Sequence, residues 1–197
     1  MVKFREIFRG PIANGDKRWI DFSPVTPLRA IIVSAIVLMV INASGWISLA
    51  IAEREDGWRH YYMTIDVFGM MYLFIGLVVI VWTYADMKLF SKGRLSPVYS
   101  ICIASIFSAA WIVALAMALL FCIVFLSGWV DEEFVEHELR PGHIWRYKAV
   151  PFLQVLIHFV ILGLYIWYLV LSVKVFRRLK EVKKHQGMRM REQENIV

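Results

Sequence analysis

Gln154 and His158 stand four residues apart inside Pro151–Val173, a stretch with no charged residue. That spacing is about one helical turn, so both side chains leave the same face of a helix. An imidazole can exchange a proton near neutral pH, ligate a metal or a haem iron, or hydrogen-bond to a neighbouring helix. Ionisable groups inside a membrane span are costly and mark functional sites by default. Asn42 occupies the middle of another apolar stretch, Ala30–Ala52. Asn42 and His158 are therefore expected at similar depth, where a hydrogen bond between them would satisfy groups that are expensive to leave unpaired in hydrocarbon. Two chemistries compete. Either Asn42, Gln154 and His158 are interhelical polar contacts, or His158 is a haem or metal ligand or a proton relay. A haem between helices needs two facing histidines, and no second histidine lies in an apolar run. The contact reading is preferred, and no cofactor or metal is expected.

A second constellation lies outside the apolar runs: His60, Asp66, Glu132, Glu133, Glu136, His137 and His143. Glu133 and His137 have the i, i+4 spacing of a helical metal pair. A metal site needs three or four converging ligands, so a solvated acidic loop is the plainer reading. No zinc-protease, serine-hydrolase, P-loop or dinucleotide fingerprint is present. The loops leave little room for an extramembrane active site, and no enzyme is expected.

The elements that must position these residues are apolar helices. Of the 197 residues 59% are hydrophobic and 19% charged, with a mean hydropathy of +0.60. Ordinary soluble domains hold about 25% charged residues. Here the charges are segregated, and four uncharged runs remain: Ala30–Ala52, Val67–Ala85, Val98–Val130 and Ala149–Val173. A spanning helix needs about 20 apolar residues. The runs are continuous rather than alternating, which selects helices over barrel strands. The fold class expected is an all-α integral membrane protein, an antiparallel four-transmembrane-helix bundle with spans near 30–52, 67–85, 98–130 and 149–173. A basic segment 1–29 precedes this domain, which covers 30–176, and a polybasic tail 177–197 follows it. The first run is too long for a signal peptide's core and is read as a retained anchor. The third exceeds a span and is expected to tilt or project. Pro97 suits the start of the third helix and Pro151 the first turn of the fourth.

Charge sets the threading. Seventeen of the 22 basic residues fall before the first run, between the second and third, or after the fourth. Nine of the 16 acidic residues fall in the two opposite loops. The positive-inside rule then puts both termini in the cytoplasm of a multi-pass protein of the plasma membrane or an endomembrane. Aromatic belts agree, with Trp58, Tyr61, Trp129 and Trp145 at the outer boundary and Trp82, Tyr84, Phe90 and Tyr99 at the inner. The two cysteines, Cys102 and Cys122, both lie in the third run, so no disulfide staples the outer loops.

Small residues mark helix packing. Ala104 and Ser108, Ser105 and Ala109, and the series Ala110, Ala114 and Ala118 recur every fourth position, and Gly69 and Gly76 lie on the second run. Such spacing lets backbones approach closely, within the bundle or against a partner helix, and internal packing is the preferred reading. Arg177, Arg178, Lys180, Lys183 and Lys184 follow the last run. At the cytoplasmic surface each attracts anionic lipid headgroups by about 1 kcal/mol.

The stretches "SPVYSICIASIFSAAWIVALAMALL", Ser96–Leu120, and "RYKAVPFLQVLIHFVILGL", Arg146–Leu164, together with the four-run layout over about 28–176, resemble MARVEL-type tetraspan membrane proteins. The resemblance implies an M-shaped four-helix bundle that organises membranes or partner proteins in trafficking, junctions or lipid microdomains, with no chemistry of its own. The expected partners are the bilayer, anionic lipids, and further copies of the chain or other membrane proteins, not nucleic acid. The alternatives are an accessory or pore-forming subunit of a transport or channel complex, motivated by Asn42, Gln154 and His158, and a haem- or metal-binding membrane anchor through His158.

Overall fold

The computed structural model describes residues 17–19, 22–56, 63–126 and 141–194, with side-chain surroundings given for 18–19, 22–44, 47, 71–123, 149 and 151–186. After a short 3-10 turn, Lys17–Trp19, come α1 (Val25–Asp56), α2 (Met63–Ser91), α3 (Pro97–Leu126) and α4 (Pro141–Glu194). Each contains a segment long and apolar enough to cross a membrane: Val25–Ser44, Met71–Ser91, Pro97–Ile123 and Pro151–Gln186. The described chain is thus that of an all-helical, multi-pass membrane protein.

Local chemistry explains the helix ends. At the entry to α1 the Val25 N–H donates to Ser23 Oγ at 3.4 Å, and the Pro24 carbonyl accepts the first helical bond, from Leu28 N at 3.1 Å. Pro27 falls in that first turn, where a missing N–H costs little. Before α3, the Ser96 carbonyl accepts both the Ser100 N–H at 3.0 Å and the Ser100 hydroxyl at 3.1 Å. Pro97 opens α3 as its type predicts. α2 stops at Gly93, whose φ of 66° continues no helix. The Arg94 N–H turns back to the Leu89 carbonyl at 2.9 Å and the Gly93 N–H to Phe90 at 3.0 Å, a Schellman stop.

Two helix limits that bear on the polar interior differ from the sequence reading. α2 does not end at Ala85 but carries its apolar span through Asp86 to Ser91, so a carboxyl group enters the membrane segment. The apolar stripe on its inner side continues through Met87 and Phe90, which sets the end later than the first charge. The N1 proline of α4 is Pro141, and Pro151 lies inside the helix rather than in its first turn. An interior proline removes one helical hydrogen bond, a loss that membrane helices tolerate. α4 runs on to Glu194, the basic tail continuing the fourth helix as the strong helix formers after the apolar run lead one to expect.

α1 packs on α2 and on α4, and α4 packs on α3. α2 reaches α3 and α4 mainly through large side chains, such as Trp82 against Phe107 and Tyr72 against His158. The inner face of α1 is Leu28, Ile31, Ile32, Ala35 and Leu38, at helical spacing and buried. It meets α2 at Gly76, where a Cβ would stand 2.7 Å from Met39 Cγ. A side chain there would have to push the Met39 side chain aside, while the nearest α1 backbone atom, the Ala35 carbonyl oxygen, would stand 3.7 Å away. Outward faces are apolar on every helix: Val33 and Val37, Phe74 and Leu77, Ile106 and Val113, Phe159 and Val160 are all exposed. Soluble monomers rarely expose contiguous apolar surface on that scale, whereas acyl chains solvate it.

The segment before α1 folds back onto the α2–α3 turn. Trp19 is buried, donates its indole N–H to the Leu95 carbonyl at 3.2 Å, and sets its ring edge-on to Phe90 at 6.5 Å. Arg18 donates to the Gly93 carbonyl at 3.1 Å, and Lys174 lies 5.9 Å from the Phe22 ring centre. A buried indole needs a partner for its N–H, and the Leu95 carbonyl of the α2–α3 connection supplies it.

Candidate functional site

One face of α4 carries Gln154, His158, Ile161, Tyr165, Tyr168, Ser172 and Val175, at alternating spacings of four and three. That period keeps a single stripe turned toward the other helices. His158, Tyr168 and Ser172 are fully enclosed, and Tyr165 is 2% exposed. The stripe is therefore polar where a soluble protein's would be aliphatic.

At its first end, Gln154 Nε2 donates to Asn42 Oδ1 at 2.6 Å, joining α4 to α1. Asn42 in turn donates from Nδ2 to the Leu38 carbonyl of its own helix at 2.8 Å. His158 does not bond Asn42, as its depth had suggested. Its Nδ1 lies 2.6 Å from the Gln154 carbonyl, one turn back on α4. A carbonyl only accepts, so Nδ1 carries the proton and Nε2 presents a lone pair. The reason is reach: Gln154 is long enough to cross to α1, while the short imidazole tether favours its own helix. The ring is held edge-on between Tyr72, 5.0 Å away, and Trp111, 5.1 Å away. Nε2 is buried without a hydrogen-bond partner.

The other end holds Asp86, Tyr165 and Tyr168, which were not singled out from the sequence. Asp86 of α2 is 2% exposed, and its Oδ2 accepts from the Tyr168 hydroxyl at 3.4 Å. That is long for an O–H···O bond. Tyr99 of α3 flanks the same carboxyl group. Asp86 Oδ1 has no hydrogen-bond partner. Tyr165 stacks on Phe107 at 5.1 Å and 9°, with buried Thr83 beside its hydroxyl, yet that hydroxyl also lacks a partner. So does Ser108 Oγ on α3, one residue beyond Phe107. Ser172, by contrast, donates to the Tyr168 carbonyl at 2.8 Å. Asp86 was missed because it falls one residue beyond an apolar run. The signal that could have found the rest is the four–three recurrence of polar and tyrosine positions along α4.

The remaining expected residues are dispersed. Ala118 is buried with Leu115, Cys122 and Val155, and Ala114 packs partly against the main core. Ala110 is exposed, because the four-residue step drifts around a 3.6-residue helix, so it makes no packing face within the bundle. Gly76 lies at the α1–α2 crossing, and Gly69 falls in α2 outside the described side chains. Arg177, Arg178, Lys180, Lys183 and Lys184 are exposed on the continuation of α4. Of the acid and histidine constellation, the surroundings of His60, Asp66, Glu132, Glu133, Glu136, His137 and His143 lie outside the described residues. Among the described residues no three His, Cys, Asp or Glu side chains gather as a metal set. The arrangement can hydrogen-bond, and it can accept and release protons at Asp86 and His158. No family model, curated protein or solved structure matches the chain.

Proposed function

We propose that this is a four-span membrane protein, threaded antiparallel with both termini cytoplasmic, that works by lateral association with other membrane helices and with lipid, without enzymatic turnover. The observation that carries it is the division of small residues on α3. Ala104 and Ser108 turn into the bundle, while Ser105 and Ala109 turn away from it, between exposed Ile106, Ile112 and Val113. Small outward residues let a second backbone approach closely, and in lipid such packing drives helix association. A second copy of the chain or another membrane protein would sit there, as in MARVEL-type organisers of the plasma membrane or endomembranes.

Support for antiparallel threading comes from the order of contacts. Asn42 meets Gln154, while the earlier Phe22 meets the later Lys174. Trp111 lies against His158, while the earlier Phe107 lies against the later Tyr165. The exposed basic run Arg177–Lys184 favours an anionic leaflet beside the end of α4. The test is native mass spectrometry of the chain extracted in mild detergent, with Ala109→Leu alongside. A dimer or partner complex in the parent chain that Ala109→Leu reduces about tenfold, equivalent to ~1.4 kcal/mol, is the expected result. A monomer carrying lipid alone would overturn the reading.

A further inference from the structure

We infer that the interior of the bundle is a hydrated path along which protons move between Asp86 and the Gln154 end of α4. The inference needs the four helices to cross a bilayer, but not the lateral association proposed above. Among the described residues of α2, α3 and α4, four buried side-chain atoms have no hydrogen-bond partner: Asp86 Oδ1, Tyr165 Oη, Ser108 Oγ and His158 Nε2. They come from three different helices, yet contacts place them in one sequence. Asp86 is bonded to Tyr168, one turn from Tyr165 on the same stripe. Tyr165 stacks on Phe107, the neighbour of Ser108. Trp111, one turn further along α3, lies against His158. Ser108 thus falls between Tyr165 and His158, beside the aliphatic gap that Ile161 leaves in the α4 stripe.

Buried polar groups in native proteins are almost always satisfied, and an internal water satisfies them where two to four polar partners converge. One isolated orphan would be a local defect. Four in a row, in a bilayer segment where each costs more than in water, describe a column that water completes. The column covers most of a crossing: Gln154 to Tyr168, the residue bonded to Asp86, spans about 21 Å at ~1.5 Å per residue, against about 30 Å of hydrocarbon.

The chemistry of the groups suits protons rather than larger ions. A proton taken up by the Asp86 carboxylate passes through water to the Tyr165 and Ser108 hydroxyls, each accepting one proton as it releases another. His158 Nε2, held as a free base by the Nδ1–H bond to the Gln154 carbonyl, accepts the proton and returns it to water on the Gln154 side. Only O–H and N–H bonds form and break, and every group ends as it began. The groups facing His158 are Tyr72 of α2, Trp111 of α3 and Gln154 of α4, with Asn42 of α1 behind Gln154. The groups facing Asp86 are Tyr168 of α4 and Tyr99 of α3. The neighbours of both are uncharged in their ordinary states, so no fixed cation beside the carboxylate holds it in its deprotonated form.

The full chain would be reconstituted in phosphatidylcholine vesicles holding a pH-sensitive dye, with a potassium gradient and valinomycin setting the driving force. Co-flotation with the vesicles establishes insertion separately from flux. Inserted protein should acidify the lumen about tenfold faster than protein-free vesicles, and Asp86→Asn and Tyr165→Phe should each return the rate to near background. Tyr165→Phe keeps the ring stacked on Phe107 and removes only the hydroxyl, so its effect does not depend on misfolding. Leu77→Ala, on the outward face of α2, should leave the rate unchanged. Inserted protein no faster than empty vesicles, flux unchanged in both column variants, or an equal leak of sodium would overturn the inference.

Discussion

The two ends of the α4 stripe are built from similar side chains and used differently. At the Asn42 end, two amides meet at 2.6 Å, and Asn42 is bonded again to its own backbone. At the Asp86 end, a carboxyl group accepts a long 3.4 Å bond from Tyr168, is flanked by Tyr99, and leaves Oδ1 without a hydrogen-bond partner. The first arrangement spends its polar groups on each other and so fastens α1 to α4. The second leaves them open, which gains little stability and keeps a titratable group available. His158 stands between and shares both characters, one nitrogen bonded and one free. Within one bundle, then, burial of a polar residue says little about its role; what decides is whether its partners are complete.

Substitutions can break or sharpen that contrast. The largest effect is expected where the Asp86 end is closed by packing. Trp19→Ala removes a buried indole and its bond to Leu95, and should cost about 3 kcal/mol or more in detergent unfolding. If it melts like the parent chain, the turn onto the α2–α3 loop contributes nothing to the bundle. Next, Gly76→Val should cost about 1–3 kcal/mol by forcing Met39 aside and parting α1 from α2, read as a lower midpoint in the same assay. At the Asn42 end, Asn42→Leu and Gln154→Leu should each destabilise. The double variant should lose less than their sum, with a coupling of about 1 kcal/mol in a double-mutant cycle. A coupling of zero would mean that the 2.6 Å contact holds nothing together. The smallest effect is expected at Asp86. Asp86→Leu should leave the midpoint unchanged or raise it, since a poorly paired buried carboxyl is no more stabilising than an apolar side chain of its size. A loss comparable to that of Gln154→Leu would erase the distinction between the two ends.

Much of this architecture was legible beforehand. Four uncharged runs located the four apolar helices, because hydrocarbon forces the backbone to satisfy itself and rewards length and apolarity alone. Asn42, Gln154 and His158 stood out as polar residues in such runs. Their pairing did not, because depth along a helix says nothing about which side chain is long enough to cross. Asp86 escaped notice because a charge was taken to end a span, whereas α2 continues to the glycine stop at Gly93. Pro151 misled in the same way, by marking a start that the chain places at Pro141.

What the sequence determined by itself is the set of properties that each helix owns alone: its apolar length, its small residues, its charged flanks and the glycine that ends α2. Those follow from local hydrogen bonding and from the solvent on either side. What only the tertiary structure decided is which polar atoms meet: Gln154 with Asn42, Tyr168 with Asp86, and nothing with Asp86 Oδ1, Tyr165 Oη, Ser108 Oγ or His158 Nε2. Those outcomes depend on helix rotation and depth to within a hydrogen bond's length, which the pattern along any single helix leaves open.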